Sequence, residues 1–180
     1  MIRKVYAHGN PVLKQEGDWI EEDHEGLKEL VADMFDTMEA ANGIGLAAQQ
    51  IGLPLKIFVL DLSIYDEHKD VKKVFINSEI VEESEETCDY EEGCLSFPGI
   101  SVNVTRPAKV KVYYQDEDFN EYEEWIDGIY ATAFQHEHDH TEGVVFTDHA
   151  SPLKKQMLSG KLKKIASGKM TSTRYLMKHK

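Results

Sequence analysis

The segment His136-Glu137-His138-Asp139-His140 places the strongest constraint on how this chain can fold. It lies between Asp127-Gly128, which reads as a helix start, and Gly143, which reads as a stop. Side chains at i and i+4 of a helix stack on one face. Ile129, Ala133, His136 and His140 fall at i, i+4, i+7 and i+11, so both imidazoles belong to the apolar, inward stripe. Buried imidazoles need partners, because an unpaired polar group in a core is costly. Two of them on adjacent turns can share a cation, and Glu137, about 100° round the helix, can reach a water held by that cation. His138 is roughly 160–200° from the pair and is expected to face solvent.

A catalytic metal site commonly has three protein ligands and an open position. The two familiar protease completions of HExxH both fail here. After His140 the chain keeps a glycine, Gly143, but has Phe146 where a third histidine would stand, and no Glu follows Glu142. Asp148 and His149 are formal candidates close behind the helix end. Upstream, Cys94 lies in Glu92-Gly93-Cys94-Leu95-Ser96, where glycine lets the backbone approach another element. Its thiolate would complete a tetrahedral Cys-His-His site. A zinc endopeptidase independent of Cys94 is the competing class. Cys88, the other cysteine, reads as a small buried hydrophobe. A third segment, Gly43-Ile44-Gly45-Leu46-Ala47-Ala48-Gln49-Gln50, implies close backbone approach, either to a ligand or within a tight helix-to-strand connection.

At 180 residues, with 41% hydrophobic and 29% charged residues, the chain reads as one domain with an ordinary globular core. The N-terminus has no apolar stretch of the signal-peptide kind, and no run nears the ~18 apolar residues of a membrane span, so the expected compartment is the cytoplasm. The net charge of −13 is uneven: residues 151–180 hold eight Lys and one Arg against no acid, a local +9, which leaves −22 on residues 1–150. Such a tail reads either as a phosphate-docking patch or as a solvated end. The pattern predicts a catalytic body over 1–150 and a basic C-terminal helix or tail, 151–180, of the same domain.

Leu27, Leu30, Val31, Met34, Met38 and Ala41 form one stripe and predict an amphipathic helix over 24–42, with Asp23 as N-cap and Asn42-Gly43 as stop. His8-Gly9-Asn10-Pro11 reads as a turn. Lys56–Leu60 and Val74–Ile76 read as short strands, Glu82–Glu92 as an exposed strand or loop face, and Val102/Val104 and Val110/Val112/Tyr114 as alternating strands before a hairpin turn at 116–120. A further helix is expected over 152–165, with the last ten residues disordered. Helices and antiparallel strands without a βαβ rhythm give an α+β class: small antiparallel or mixed sheets around a central metal-binding helix, with an N-terminal amphipathic helix and a C-terminal helix.

GIGLAAQQ at 43–50, EGCLS at 92–96 and QHEHDH at 135–140 resemble, in order and spacing, the three signature motifs of the peptide deformylases. Pro11-Val12-Leu13, Phe75-Ile76-Asn77 and Gly143-Val144-Val145-Phe146 also look like family features, so the resemblance spans roughly residues 1–155. It implies removal of the formyl group from N-formyl-methionine of newly made polypeptides, with release of formate. Cys94, His136 and His140 would bind one divalent metal, natively Fe²⁺, with Zn²⁺, Ni²⁺ or Co²⁺ as substitutes. Glu137 would act as general base and then acid, while the Gln50 side chain and the Leu95 N–H would stabilise the oxyanion. Ile44, Ile129 and Ala133 would line the methionine slot, and backbone near Gly45 would pair with the substrate peptide. Some members of that family are associated with ribosome docking through a basic C-terminal helix. Family members usually carry an aliphatic residue at the position of His138 and leucine at that of Thr141, whose hydroxyl is expected to loosen the helix end.

Overall fold

Apolar runs that do not alternate mark strands covered on both faces. The computed structural model describes residues 1–179. In chain order it contains β1 (Val5–Tyr6), α1 (Leu27–Ala40), β2 (Gly45–Ala47), β3 (Ile57–Asp61), β4 (Lys72–Glu83), β5 (Thr87–Gly93), β6 (Ser101–Pro107), β7 (Lys109–Gln115), β8 (Glu121–Asp127), α2 (Gly128–Thr141), α3 (Pro152–Ala166) and β9 (Met177–Lys178). Strands β2-β3-β4-β7-β8 form an antiparallel sheet; β5-β6 is a separate hairpin and β1-β9 a short parallel pair. This is the expected α+β arrangement.

The unbroken run in β3 is explained by its two covers. Phe58 and Leu60 pack with Tyr130, Ala131 and Phe134 of α2, while Ile57 and Val59 pack with Leu30, Met34 and Met38 of α1. Phe134 meets Phe58 and Phe75 edge-on, with ring centroids 5.2 Å away in each case. Such pairs contribute about 0.5–1.5 kcal/mol beyond area burial. A third cluster joins Val102 and Val104 of β6 to Phe97, Phe146 and the α3 residues Leu158 and Ile165. Helix α2 thus runs between the main sheet and the β5-β6 hairpin, and its inner face meets both.

Several boundaries differ from expectation. Helix α1 starts at Leu27, where the apolar stripe begins, because Gly26 takes a left-handed φ of 77° and stops the helical backbone there; Asp23 makes no cap hydrogen bond to it. Its end is as expected: Asn42 has φ 55° and Gly43 N–H donates to Met38 O at 2.9 Å, an αL cap that satisfies terminal carbonyls. The segment after it contains a strand, β2, rather than a simple connection. Strand β4 is longer than expected and extends to Glu83; with β5 over Thr87–Gly93 it makes most of the acidic run the strand face expected for it. Cys88 is half-buried on β5, not a core residue.

The described part of the last ten residues is ordered by pairing. Val5 N–H donates to Leu176 O and Ala7 N–H to Lys178 O, both at 2.9 Å. Among the described residues no helix is long and apolar enough to cross a membrane.

His138 does not face solvent. It is only partly exposed, its Nδ1 lies 3.0 Å from Ser78 Oγ, and its ring stacks 6.0 Å from Phe134. An irregular register in β4 between Ile76 and Glu79 accompanies this approach. Burial lowers the His138 pKa, so the ring stays neutral. Thr141 does not loosen the helix: its hydroxyl donates to His138 O at 2.7 Å, and its carbonyl accepts from Gly17 N–H at 2.8 Å.

Candidate metal centre

Two elements converge on one point. Helix α2 carries His136 and His140, their ring centroids 5.2 Å apart, and the turn after β5 carries Cys94. Cys94 Sγ lies 3.3 Å from His140 Nε2, and one donor atom from each of the three residues falls within 4.8 Å of the others. His140 is fully buried; burial and the nearby His136 charge depress its pKa to about 3, so the ring is neutral and offers a lone pair. His136 Nδ1–H donates to Glu92 Oε2 at 2.8 Å, which leaves Nε2 as its ligating nitrogen. Burial opposes a proton on His136, but bonds to Cys94 and Glu92 outweigh it and raise the pKa in the absence of a cation. A soft thiolate, two imidazoles and an orienting carboxylate fit a single divalent transition metal.

The carboxylate behind His136 is itself held. Arg106 from β6 donates Nε–H to Glu92 Oε1 at 2.6 Å, Nη2–H to Oε2 at 3.1 Å and Nη1–H to Asp139 Oδ2 at 2.9 Å. His149 Nε2 also meets Asp139, at 2.8 Å. Asp148 pairs with Lys14, so neither post-helix candidate joins the metal group. Burial pushes the Glu92 pKa up, yet its bonds to His136 and Arg106 prevail and lower it; Arg106 is correspondingly raised despite burial.

Glu137 projects beside this group and is 5% exposed. Its Oε2 is buried with no hydrogen-bond partner among the described residues. Burial first, opposed by His136 and reinforced by Glu92, raises its pKa to about 7, in the range suited to moving protons near neutrality. Gly45 is required at this spot: a Cβ there would overlap the Glu137 carboxyl. The atoms that must yield belong to Glu137's side chain, so Gly45→Ala should cost little stability but displace the carboxylate. A displacement near 1 Å corresponds to about a 100-fold fall in kcat. Steady-state kinetics with metal content unchanged checks this; a fall below threefold would sink it.

Gln50 is fixed by its Oε1, which accepts from Ala47 N–H at 2.8 Å, so its amide nitrogen points to Cys94 Sγ at 3.4 Å and Ser96 Oγ at 3.5 Å. Neighbouring Gln49 is fully buried and both its amide atoms lack partners among the described residues.

A cleft of about 630 Å³ opens onto the group. Ile44, Gly45, Gln50 and Leu95 line it, as do Ile129, Ala133, Cys94, His136 and Glu137. His140 lies behind its wall. Reading from sequence did not single out Glu92, Arg106 or Asp139 as supports, nor the wall formed by 171–175. Glu92 carried one usable signal, its place two residues before the thiol.

A Cys-His-His group of one half-buried thiol and two buried imidazoles, with the buried Glu137 carboxyl beside it on an α+β frame, is the arrangement of a one-metal hydrolase. The family model described as polypeptide deformylase matches residues 2–156. The peptide deformylase of Cytophaga hutchinsonii is 48% identical over 170 residues, covering 93% of this chain and 92% of that one. That of Flavobacterium johnsoniae is 44% identical over 189 residues, covering 99% and 96%. A crystal structure of the peptide deformylase from Legionella pneumophila superposes with a TM-score of 0.84 at 38% identity, covering 94% of this chain and 98% of that one. The chain belongs to the polypeptide deformylase family, whose enzymes hydrolyse the formyl group from the N-terminus of new polypeptides. The endopeptidase alternative finds no support in these likenesses.

Proposed function

We propose that Cys94, His136 and His140 hold Fe²⁺, with Zn²⁺, Ni²⁺ and Co²⁺ as workable substitutes, and that the residues around them carry out deformylation as follows. The cation, when bound, supplies Lewis-acid activation of water. Glu137 takes a proton from the attacking water and returns it to the methionine nitrogen as the C–N bond breaks, giving formate and a free amine. The Gln50 amide and the Leu95 N–H donate to the oxygen of the formyl group as it gains charge, each worth on the order of 3–4 kcal/mol. Ile44, Ile129 and Ala133 accept the methionine side chain, and extended backbone at Gly45 pairs with the peptide.

The observation that carries this reading is the buried Glu137 carboxyl beside the Cys-His-His group, whose Oε2 has no hydrogen-bond partner among the described residues. Formate release from formyl-Met-Ala-Ser by anaerobically Fe²⁺- or Ni²⁺-loaded protein tests it. Turnover is expected; none above buffer, with metal bound, would overturn it.

We infer that the enzyme works in the cytoplasm beside the ribosome, where newly made polypeptides emerge. Lys155, Lys161, Lys163 and Lys164 are exposed on α3 and form no ion pair among the described residues, which supports a transient phosphate contact. Because α3 buries Leu158 and Ile165, the test is charge removal rather than truncation. Changing these four to Gln should weaken ribosome binding and flatten its dependence on salt. Binding indifferent to both salt and substitution would exclude the contact.

A further inference from the structure

The family match ends at residue 156, but the cleft continues: Thr171 to Tyr175 form one of its walls. That wall is fixed from both sides. Downstream, β9 pairs with β1; upstream, Met170 N–H donates to Lys164 O at 3.1 Å and its side chain packs in the cluster that includes Cys94. Between these anchors, half-buried Tyr175 donates its hydroxyl to the Leu95 carbonyl at 2.7 Å.

The carbonyls of the thiol-bearing turn are each held differently. Cys94 O accepts from Phe97 N–H at 2.9 Å and Ser96 O from His8 N–H at 2.8 Å. Leu95 O lies between them, and among the described residues Tyr175 is its donor, with no backbone N–H reaching it. Without that bond the peptide unit between Leu95 and Ser96 can rotate. Rotation there changes the torsions of Leu95 and Ser96 inside the turn that Phe97 N–H closes on Cys94 O, the turn that carries the Leu95 N–H and the Cys94 sulfur, 3.4 Å from the Gln50 amide.

We propose that Tyr175 is a positioning residue for deformylation: by holding the Leu95 carbonyl it keeps the Leu95 N–H and the Cys94 sulfur in register with Gln50. This rests on the roles given above to Leu95 and Gln50. The segment that follows α3 is then part of the working site, although it lies beyond the residues matched to the family. Hydroxyl and carbonyl are 80 positions apart in sequence, so the tail must dock before the turn is fully defined.

Tyr175→Phe removes the hydroxyl and keeps the ring. In metal-loaded protein, kcat on formyl-Met-Ala-Ser should fall about tenfold, a fraction of what a full 1 Å misplacement costs, while KM stays within about twofold. The thiolate-dependent absorption of Co²⁺-loaded protein should shift, a readout independent of turnover. A rise in KM with kcat unchanged would make Tyr175 only a cleft wall and overturn the proposal. A lower melting midpoint with kinetic constants and spectrum unchanged would make it only a tail anchor, and would overturn it equally. Absence of turnover in the unaltered loaded protein would remove the roles of Leu95 and Gln50 as well, which distinguishes that failure from the other two.

Discussion

Glu137→Ala should retain its metal and lose turnover, with kcat lower by about 10²–10⁴, the span general acid–base catalysis covers. Metal retention is expected because the grouped donors are Cys94, His136 and His140, and Glu137 is not among them. Its Oε2 has no partner to lose, so no network collapses with it. The isosteric Glu137→Gln goes further and gives a test by pH. Burial raises the carboxyl pKa from 4.5 to about 7 in the metal-free protein. Between those values the folded state binds the proton that the unfolded state has released, so this group's contribution to stability falls as pH rises through the window. A shift of that size corresponds to a penalty on the order of 3 kcal/mol once both states are ionised. Metal-free Glu137→Gln should therefore match its parent near pH 4 and exceed it in stability above pH 7. Equal stability at pH 8, read by urea unfolding, would show that the carboxylate is better solvated than its burial implies. Loss of metal from either variant would make Glu137 structural.

Features set by neighbours a few residues away are legible in the sequence. The His136/His140 stripe, the stripe from Leu27 to Met38 and the Asn42-Gly43 stop depend on neighbours within a few residues, where helical spacing leaves its mark. The N-terminal boundary of α1 was missed because one conformational fact, the left-handed Gly26, outweighed a suitable capping side chain three residues earlier. Strand β8 left little imprint: most of its side chains are exposed, so no apolar alternation marks it. His138 was misplaced because helical angle alone ignores what packs on the outer face, and β4 brings Ser78 there. The segment after α3 left no mark in the sequence, since a two-residue strand carries no period and its order comes from Val5, Ala7 and Leu95, distant in sequence. The same holds for the supports of the metal site. Glu92, Arg106 and Asp139 come from β5, β6 and α2, and only the hairpin register and the helix position bring them within hydrogen-bond distance.

Arg106→Met should be the most destabilising single change near the site. The guanidinium is 5% exposed and is the cation that answers both Glu92, 6% exposed, and Asp139. Two opposing effects decide the outcome. A well-packed apolar replacement of a whole buried ion group can be neutral or better, whereas removing one partner leaves its counterpart buried and uncompensated, at about 3–5 kcal/mol. Arg106→Met is the second case, since Glu92 keeps its charge among buried neighbours and, among the described residues, retains only His136 as a side-chain donor. Loss of about 3–5 kcal/mol is expected by urea unfolding of the metal-free protein at pH 7. Metal affinity should fall by about 10–100-fold, because the carboxylate that fixes the His136 ring loses its own anchor. The double change Arg106→Met with Glu92→Gln removes the stranded charge and should recover part of the stability. It should not recover the affinity, since a neutral amide orients the imidazole less firmly than a carboxylate. Stability that drops by less than about 1 kcal/mol in Arg106→Met would place these charges in reach of water, as in an exposed ion pair, and would remove the network from the architecture of the site.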